Sequence, residues 1–165
     1  MRSFISSVLV VLLSVGGIVW LSSCKNKCGS TTCQNGGTCS DNKCVCPTGY
    51  TGNACETASD AQTIGTYNCT RSNCSPAVAG VNTWKSSITS VSGNGYEVNI
   101  SNFDNSNTTV VATVDTANNI TIVPATGTYG VAATGKYAND TMKLQFTTSS
   151  AVGSGYRCDM TLVKE

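Results

Sequence analysis

Cysteine is the residue type in this sequence with the widest range of possible chemistry. The chain of 165 residues has 10 cysteines and no histidine. Cysteines form disulfides, carry covalent lipid, bind metals as thiolates or act as nucleophiles, and their spacing helps to distinguish these uses. Without histidine there can be no Ser-His-Asp triad, no Cys-His nucleophile pair and no H-E-x-x-H zinc site. We therefore expect no catalytic residue, no metal and no cofactor, and a protein that is not an enzyme.

The first cysteine, Cys24, follows a segment with the features of a secretory signal. A short basic start precedes residues 4–21, which are largely apolar, and small residues come directly before Cys24. This order predicts a signal peptide over residues 1–23. The four residues Leu-Ser-Ser-Cys that end at Cys24 resemble the lipobox of bacterial lipoproteins, which implies cleavage before Cys24 and lipid attachment to it. An uncleaved membrane anchor and an ordinary signal peptide are the alternatives, and both also place the rest of the chain outside the cytoplasm.

The next six cysteines lie close together between Cys28 and Cys55. Their spacing is C-x4-C-x5-C-x4-C-x-C-x8-C. The paired C-x2-C motifs of zinc sites are absent, so the spacing favours disulfides over metal, although it does not decide how the six cysteines pair. A segment of about 28 residues cannot bury a sufficient apolar core, so disulfides would have to stabilise it.

This segment closely resembles an EGF-like module. The resemblance rests on the six cysteines, on the turn at residues 35–38, Asn-Gly-Gly-Thr, and on residues 46–52, Cys-Pro-Thr-Gly-Tyr-Thr-Gly. It implies the disulfides Cys28–Cys39, Cys33–Cys44 and Cys46–Cys55. Modules of this family that bind calcium carry acidic residues before the first cysteine, whereas lysines occupy positions 25 and 27 here. We therefore expect no calcium site, because a hard cation needs several oxygen ligands.

The remaining hundred residues alternate between apolar and polar side chains with a period of two. About eight such runs, separated by turns rich in Asn, Asp, Gly and Ser at a spacing of roughly 10–12 residues, predict an all-β domain, an antiparallel eight-stranded meander barrel or sandwich. Short motifs near residues 65–67, 100–103 and 158–164 resemble small lipocalin-like domains of Bacteroidota lipoproteins, which implies that the first strand pairs with the last. We expect its interior to be filled by side chains, with a cavity for a small apolar ligand as the alternative. The expected inward aromatic residues are Tyr67, Trp84, Tyr96, Phe146 and Tyr156.

Three cysteines, Cys69, Cys74 and Cys158, fall within this β domain. If the first and last strands pair, Cys158 could bond to Cys74 or to Cys69, and a local bridge between Cys69 and Cys74 is also possible. The resembled domains carry a cysteine just after the first strand, which favours the disulfide Cys74–Cys158. Cys69 is then expected to be a free thiol. The aspartates of the domain, including Asp104 and Asp115, are expected to be solvated turn residues.

Two threonines are candidates for modification. Residues 115–117, Asp-Thr-Ala, and residues 140–142, Asp-Thr-Met, resemble the Asp-Thr-aliphatic acceptor of O-glycosylation in Bacteroidota. The resemblance implies glycans on Thr116 and Thr141, both predicted at exposed turns.

These observations predict a lipid-anchored, non-enzymatic protein of a bacterial cell envelope, in the outer membrane. A net charge of +1 gives no electrostatic reason to expect a nucleic acid partner. The EGF-like module would be a spacer or a recognition module, and the partner would be a protein or a glycan. The alternatives are a lipocalin-like carrier of a small apolar ligand and a secreted EGF-like signalling or adhesion protein. The predicted parts are a signal peptide (1–23), a lipid anchor and tether (24–27), the EGF-like module (28–56), a linker (57–63) and the β domain (64–165).

Overall fold

The computed structural model describes residues 27–91, 93–124, 129–150 and 155–165. The predicted signal peptide and Cys24, the predicted site of lipid attachment, lie outside these ranges. The described residues form strands, turns and loops without a helix, which confirms the all-β fold. Within the same ranges, no helix has the length and apolar character needed to cross a membrane.

The amino-terminal module consists of six short strands in three antiparallel pairs. The hairpin over residues 38–45 turns at Asp41 and Asn42, whose φ angles are 50° and 60°. A two-residue hairpin turn with positive φ at both positions matches the right-handed twist of the strands, and Asn and Asp tolerate this conformation. The pairs are β1 Lys27–Cys28 with β2 Thr31–Thr32, β3 Thr38–Ser40 with β4 Lys43–Val45, and β5 Tyr50–Thr51 with β6 Thr57–Ala58.

The carboxy-terminal domain is a closed barrel of eight antiparallel strands. Each strand pairs with its neighbours in the chain, and the last strand pairs with the first, so the predicted meander and its closure are both confirmed. The strands are β7 Gly65–Ser75, β8 Thr83–Ser90, β9 Glu97–Phe103, β10 Thr108–Val114, β11 Asn119–Ile122, β12 Tyr129–Ala138, β13 Thr141–Ser150 and β14 Arg157–Lys164.

Alternate side chains of these strands fill the barrel interior. A single cluster of 20 buried residues includes members from all eight strands. Phe103 and Phe146 meet edge to face at 5.2 Å between ring centroids, and Tyr156 packs against Phe146 at 6.1 Å. The expectation of an inward Tyr96 is wrong, because Tyr96 precedes β9 and lies half-buried outside this cluster. The interior is therefore occupied by the side chains of the strands themselves, as small eight-stranded barrels allow.

A disulfide between Cys74 and Cys158 joins the first and last barrel strands, with Cα atoms 4.2 Å apart. The strand register explains why Cys69 is not the partner. Cys69 lies opposite Leu162, four residues along β14 from Cys158, and four residues of strand span about 13 Å. Cys69 is accordingly a free and buried cysteine.

We expect one free thiol in the mature protein. With Cys24 lipidated and eight cysteines in disulfides, alkylation after denaturation without reductant should modify Cys69 alone. Burial raises the pKa of the Cys69 thiol, so little reactive thiolate forms and alkylation of the native protein should be slow. Intact-mass measurement of both reactions checks this. Finding no modified thiol after denaturation, or fast modification before it, would contradict the assignment.

A buried ion pair lies at one end of the barrel, and it corrects the expectation that Asp104 is a solvated turn residue. Asp104 directly follows β9 and is 5% exposed. Its carboxylate accepts a 2.8 Å hydrogen bond from Arg71, which points inward from β7, and a second hydrogen bond from the hydroxyl of Tyr156. The guanidinium also lies 5.9 Å from the ring centroid of Trp84 and donates to the carbonyl of Val81. The Asp104 carboxylate can be buried because the Arg71 guanidinium balances its charge and donates a hydrogen bond to it.

Hydrogen bonds from tyrosines stabilise the opposite end of the barrel. The Tyr67 hydroxyl donates to the carbonyl of Thr63 at 2.6 Å, and the Tyr137 hydroxyl donates to the Asp140 carboxylate at 3.0 Å. Tyr67 and Thr63 are fully buried, and burial raises the pKa of Tyr67. This end of the barrel faces the segment that leads back to the amino-terminal module.

Candidate functional site

The predicted linker between the two domains, residues 57–63, forms a joint with both of them, in which residues 59, 60 and 63 are buried. Residues 57–58 form strand β6 of the amino-terminal module. The next residues join the two domains: the Ser59 amide donates to the Gly49 carbonyl at 2.8 Å, and the Asp60 amide donates to the Gly95 carbonyl at 3.1 Å. Ser59 and Asp60 are both buried. The Asp60 carboxylate also accepts a hydrogen bond from the Ser90 hydroxyl of the barrel. These bonds from both domains replace the hydrogen bonds to water that the two amides and the carboxylate lose on burial.

A reciprocal pair of glycine and tyrosine contacts forms the centre of this joint. Tyr50 of the amino-terminal module packs over Gly95 of the barrel, and Tyr96 of the barrel packs over Gly49 of the module. A β-carbon added at Gly95 would lie 2.6 Å from the Tyr50 ring, and one added at Gly49 would lie 2.7 Å from the Tyr96 ring. Both glycines therefore bring the backbone of one domain against an aromatic ring of the other.

A cleft of about 540 Å³ opens beside this joint, between the module and the outer face of strands β10 and β11. This volume lies within the range of about 300–1,000 Å³ that small-ligand sites occupy. We call it the interdomain cleft. Its lining residues are Cys46, Pro47, Thr48, Gly49 and Tyr50 from the module and Tyr96, Thr113, Val114, Asp115, Thr116, Asn119 and Thr121 from the barrel.

The disulfides of the amino-terminal module decide its family. They are Cys28–Cys39, Cys33–Cys44 and Cys46–Cys55, the pairs that the sequence resemblance implies. Residues 24–55 match the family model of the EGF-like domain. This segment is an EGF-like domain. A search of the curated proteins and a search of the solved structures found no match to the chain.

Three sulfur atoms of the EGF-like domain lie close enough together to suggest a metal site. The Sγ atoms of Cys28, Cys33 and Cys44 are within 4.8 Å of one another. All three belong to disulfides, and metal coordination by cysteine requires thiolates. Their proximity therefore reflects two adjacent disulfides. Calcium takes oxygen ligands, so this cluster does not bear on the expected absence of a calcium site, which stays a prediction.

A turn between β10 and β11 forms the barrel side of the interdomain cleft. One carboxylate oxygen of Asp115 accepts hydrogen bonds from the amides of Ala117 and Asn119, both at 2.8 Å, and the other accepts a 2.7 Å bond from the Asn119 side chain. These bonds from Asn119, followed by that from Ala117, lower the pKa of Asp115. The carboxylate is thus an internal acceptor that shapes the turn.

The two threonines that resemble glycosylation acceptors occupy different positions. Thr116 is exposed in the β10–β11 turn and lines the interdomain cleft. Thr141 is half-buried at the start of β13, where its hydroxyl donates to the carbonyl of Asn139 at 3.3 Å. Glycosylation of either residue stays a prediction.

Sequence reasoning did not identify the interdomain cleft. The available signal was a Gly-Tyr dipeptide that occurs in the EGF-like domain, at Gly49 and Tyr50, and again in the loop before β9, at Gly95 and Tyr96. Each dipeptide by itself indicates a turn beside an aromatic residue. That the two dipeptides pack against each other is a property of the tertiary structure.

Replacing Gly95 with alanine should loosen the joint. The backbone φ of Gly95 is 70°, where a β-carbon costs about 1–2 kcal/mol, and the new methyl group would also collide with the Tyr50 ring. We expect lower stability and shifted NMR signals of the Tyr50 ring. Gly93→Ala is the matched control, because Gly93 also has positive φ, but a β-carbon added there would have no atom within 4 Å. Equal Tyr50 ring shifts in both variants would contradict the proposed contact.

Proposed function

We propose that this chain is a lipid-anchored extracytoplasmic protein without enzymatic activity, whose EGF-like domain and barrel together recognise a partner. The observation that carries this proposal is the buried joint, in which each domain supplies a tyrosine that packs on a glycine of the other. Such contacts set the position of the barrel relative to the EGF-like domain. A spacer alone would need no cleft between the domains, whereas a recognition surface uses residues from both.

The disulfides support the location. The four disulfides within the described part of the chain indicate an oxidising compartment outside the cytoplasm. Attachment by lipid at Cys24, and placement in a bacterial outer membrane, are the finer parts of the proposal. They rest on the apolar segment and on the Leu-Ser-Ser-Cys sequence that ends at Cys24.

The proposal of a non-enzymatic role rests on the state of the acidic groups. The sequence has no histidine, so acid–base catalysis would fall to carboxylates. Asp104 is paired with Arg71, and Asp159 accepts hydrogen bonds from Asn73 and Gln145. The carboxylates of Asp104 and Asp159 thus stabilise the fold through these ionic and hydrogen-bond contacts.

The carrier alternative receives less support. A lipocalin-like carrier holds its apolar ligand inside the barrel, and here the cluster of 20 buried side chains occupies that space. We therefore place recognition on the outside of the barrel. A partner that binds there would meet the EGF-like domain as well.

Fatty-acid labelling tests the anchor. Cells that express the full chain with a clickable fatty acid should yield a labelled protein in the membrane fraction, and Cys24→Ala should lose both the label and the membrane attachment. Cys69→Ala is the matched control, because it removes the other cysteine outside the disulfides. An unlabelled wild-type protein, or a secreted soluble product with a free amino terminus, would favour the secreted signalling alternative and overturn the anchor.

A further inference from the structure

The interdomain cleft combines aromatic rings, hydroxyl groups and a near absence of charge, and we infer that it binds a neutral saccharide. This inference rests on the recognition role proposed above and names the chemical class of the partner. It follows from three properties of the cleft, namely its aromatic floor, its hydroxyl-rich wall and its electrostatics.

Tyr50 and Tyr96 provide the aromatic floor. Both are half-buried and line the cleft. Each ring also packs on a glycine of the other domain, so the rings are positioned before a ligand arrives and less side-chain entropy is lost on binding. Tyrosine presents an apolar ring with a polar hydroxyl, and a sugar ring presents an apolar C–H face with polar hydroxyls at its rim. Pro47 extends the apolar surface beside them.

Threonines provide the opposite wall. Thr113 and Thr121 are directly paired across strands β10 and β11, and both line the cleft. A hydroxyl group both donates and accepts hydrogen bonds. The Thr113 hydroxyl donates to the Thr121 carbonyl at 3.4 Å, so it can accept a hydrogen bond from a saccharide hydroxyl. The Thr121 hydroxyl can donate to a saccharide or accept from it.

The charge of the cleft favours a neutral ligand over an acidic one. Asp115 is the one charged side chain among the described lining residues, and both of its oxygens accept hydrogen bonds from the turn. Among the residues that the structure describes, neither a lysine nor an arginine lines the cleft. Lys136 lies near enough for its charge to act on Asp115, but it is not among the lining residues. A sialylated, sulfated or phosphorylated ligand in the cleft would therefore meet the Asp115 carboxylate before any cation.

The matched pair Thr121→Lys and Thr134→Lys tests this site. The two residues face each other across β11 and β12, and both are exposed. Thr121 lines the cleft, whereas Thr134 does not. Both variants add the same side chain and charge to the outer face of the barrel, but only the substitution at position 121 places that side chain where it would obstruct a ligand in the cleft.

The full chain would be placed in phosphatidylcholine nanodiscs and tested against an array of neutral oligosaccharides of two to four hexose or N-acetylhexosamine units, with sialylated and sulfated counterparts. We expect binding of at least one neutral oligosaccharide. Thr121→Lys should weaken this binding by about tenfold or more, while Thr134→Lys should leave it unchanged. Trp84 fluorescence and thermal melting check that both variants are folded.

Three results would overturn the inference: no neutral oligosaccharide binds, acidic oligosaccharides bind more tightly than neutral ones, or the two lysine variants weaken binding equally. The fatty-acid label at Cys24 is read independently of the array. A labelled protein that binds no saccharide therefore overturns the ligand class alone, whereas an unlabelled protein that binds a neutral saccharide overturns the anchor alone.

Discussion

Replacing Arg71 with methionine is expected to lower the free energy of unfolding of the barrel by about 3–5 kcal/mol, because it leaves the Asp104 carboxylate buried without its charged partner. The two side chains are 6% and 1% exposed and joined at 2.8 Å. Urea unfolding followed by Trp84 fluorescence measures the loss, since Trp84 lies inside the barrel next to the arginine.

The surface pair between Lys85 and Glu165 is the matched control. Its side chains are 66% and 37% exposed, and exposed ion pairs contribute about 0–1 kcal/mol. Lys85→Met should therefore have a small effect. If Arg71→Met were no more destabilising than Lys85→Met, the ion pair at the barrel end would not be a significant stabilising element.

The double variant Arg71→Met with Asp104→Asn measures the coupling between the two residues, as distinct from the loss that each substitution causes alone. Asparagine suits position 104 because the backbone φ there is 53°, a conformation that Asn tolerates. Each single variant leaves one uncompensated buried charge, whereas the double variant leaves none. We expect the double variant to lose less stability than the sum of the two single variants, and simple additivity would contradict the coupling.

Removing the disulfide between Cys74 and Cys158 is the second large effect that we expect. The bridge spans 84 residues of sequence, and a loop of that length corresponds to about 4–5 kcal/mol in the chain-entropy model. The double variant Cys74→Ala with Cys158→Ala should lose stability of this order in the same urea unfolding measurement. The three disulfides of the EGF-like domain stay intact in this variant.

Cys69→Ala controls for the loss of a buried sulfur atom without the loss of a bridge. Cys69 is 1% exposed, and deletion of a small group from a core costs about 0.5–1.5 kcal/mol. The disulfide variant should therefore be clearly less stable than Cys69→Ala. Similar losses in both would indicate that hydrogen bonding between β7 and β14, rather than the disulfide, closes the barrel.

Period-two alternation makes the barrel strands predictable, because a strand with one buried face must alternate along the chain. Met142, Leu144 and Phe146 illustrate this, since the alternation places all three on one face and all are buried. Strand β12 is harder to predict, because residues 129–138 contain several glycines and alanines and no clear alternation. Its inward members Val131 and Tyr137 are identified only by their pairing with β11 and β13.

Polar groups account for most of what could not be predicted. Asp60 lies in a segment that resembles a linker and Asp104 in one that resembles a turn, yet both are buried, because partners distant in the sequence satisfy their hydrogen bonds. Asp104 meets Arg71 across 33 positions, and Asp60 accepts a hydrogen bond from Ser90 across 30 positions. The sequence next to a polar residue does not show such distant partners. Whether that residue is buried can therefore be read only from the folded structure.

Cysteine spacing, strand alternation and composition are local properties of the chain. The EGF-like framework, the all-β class and the absence of histidine chemistry therefore follow from the sequence without a structure. The folded structure was needed to show that Cys74 rather than Cys69 lies beside Cys158, that an ion pair occupies one barrel end, and that residues 59 and 60 form a buried joint beside a cleft. Each of these depends on strand register and on contacts between residues far apart in the sequence, which no local pattern specifies.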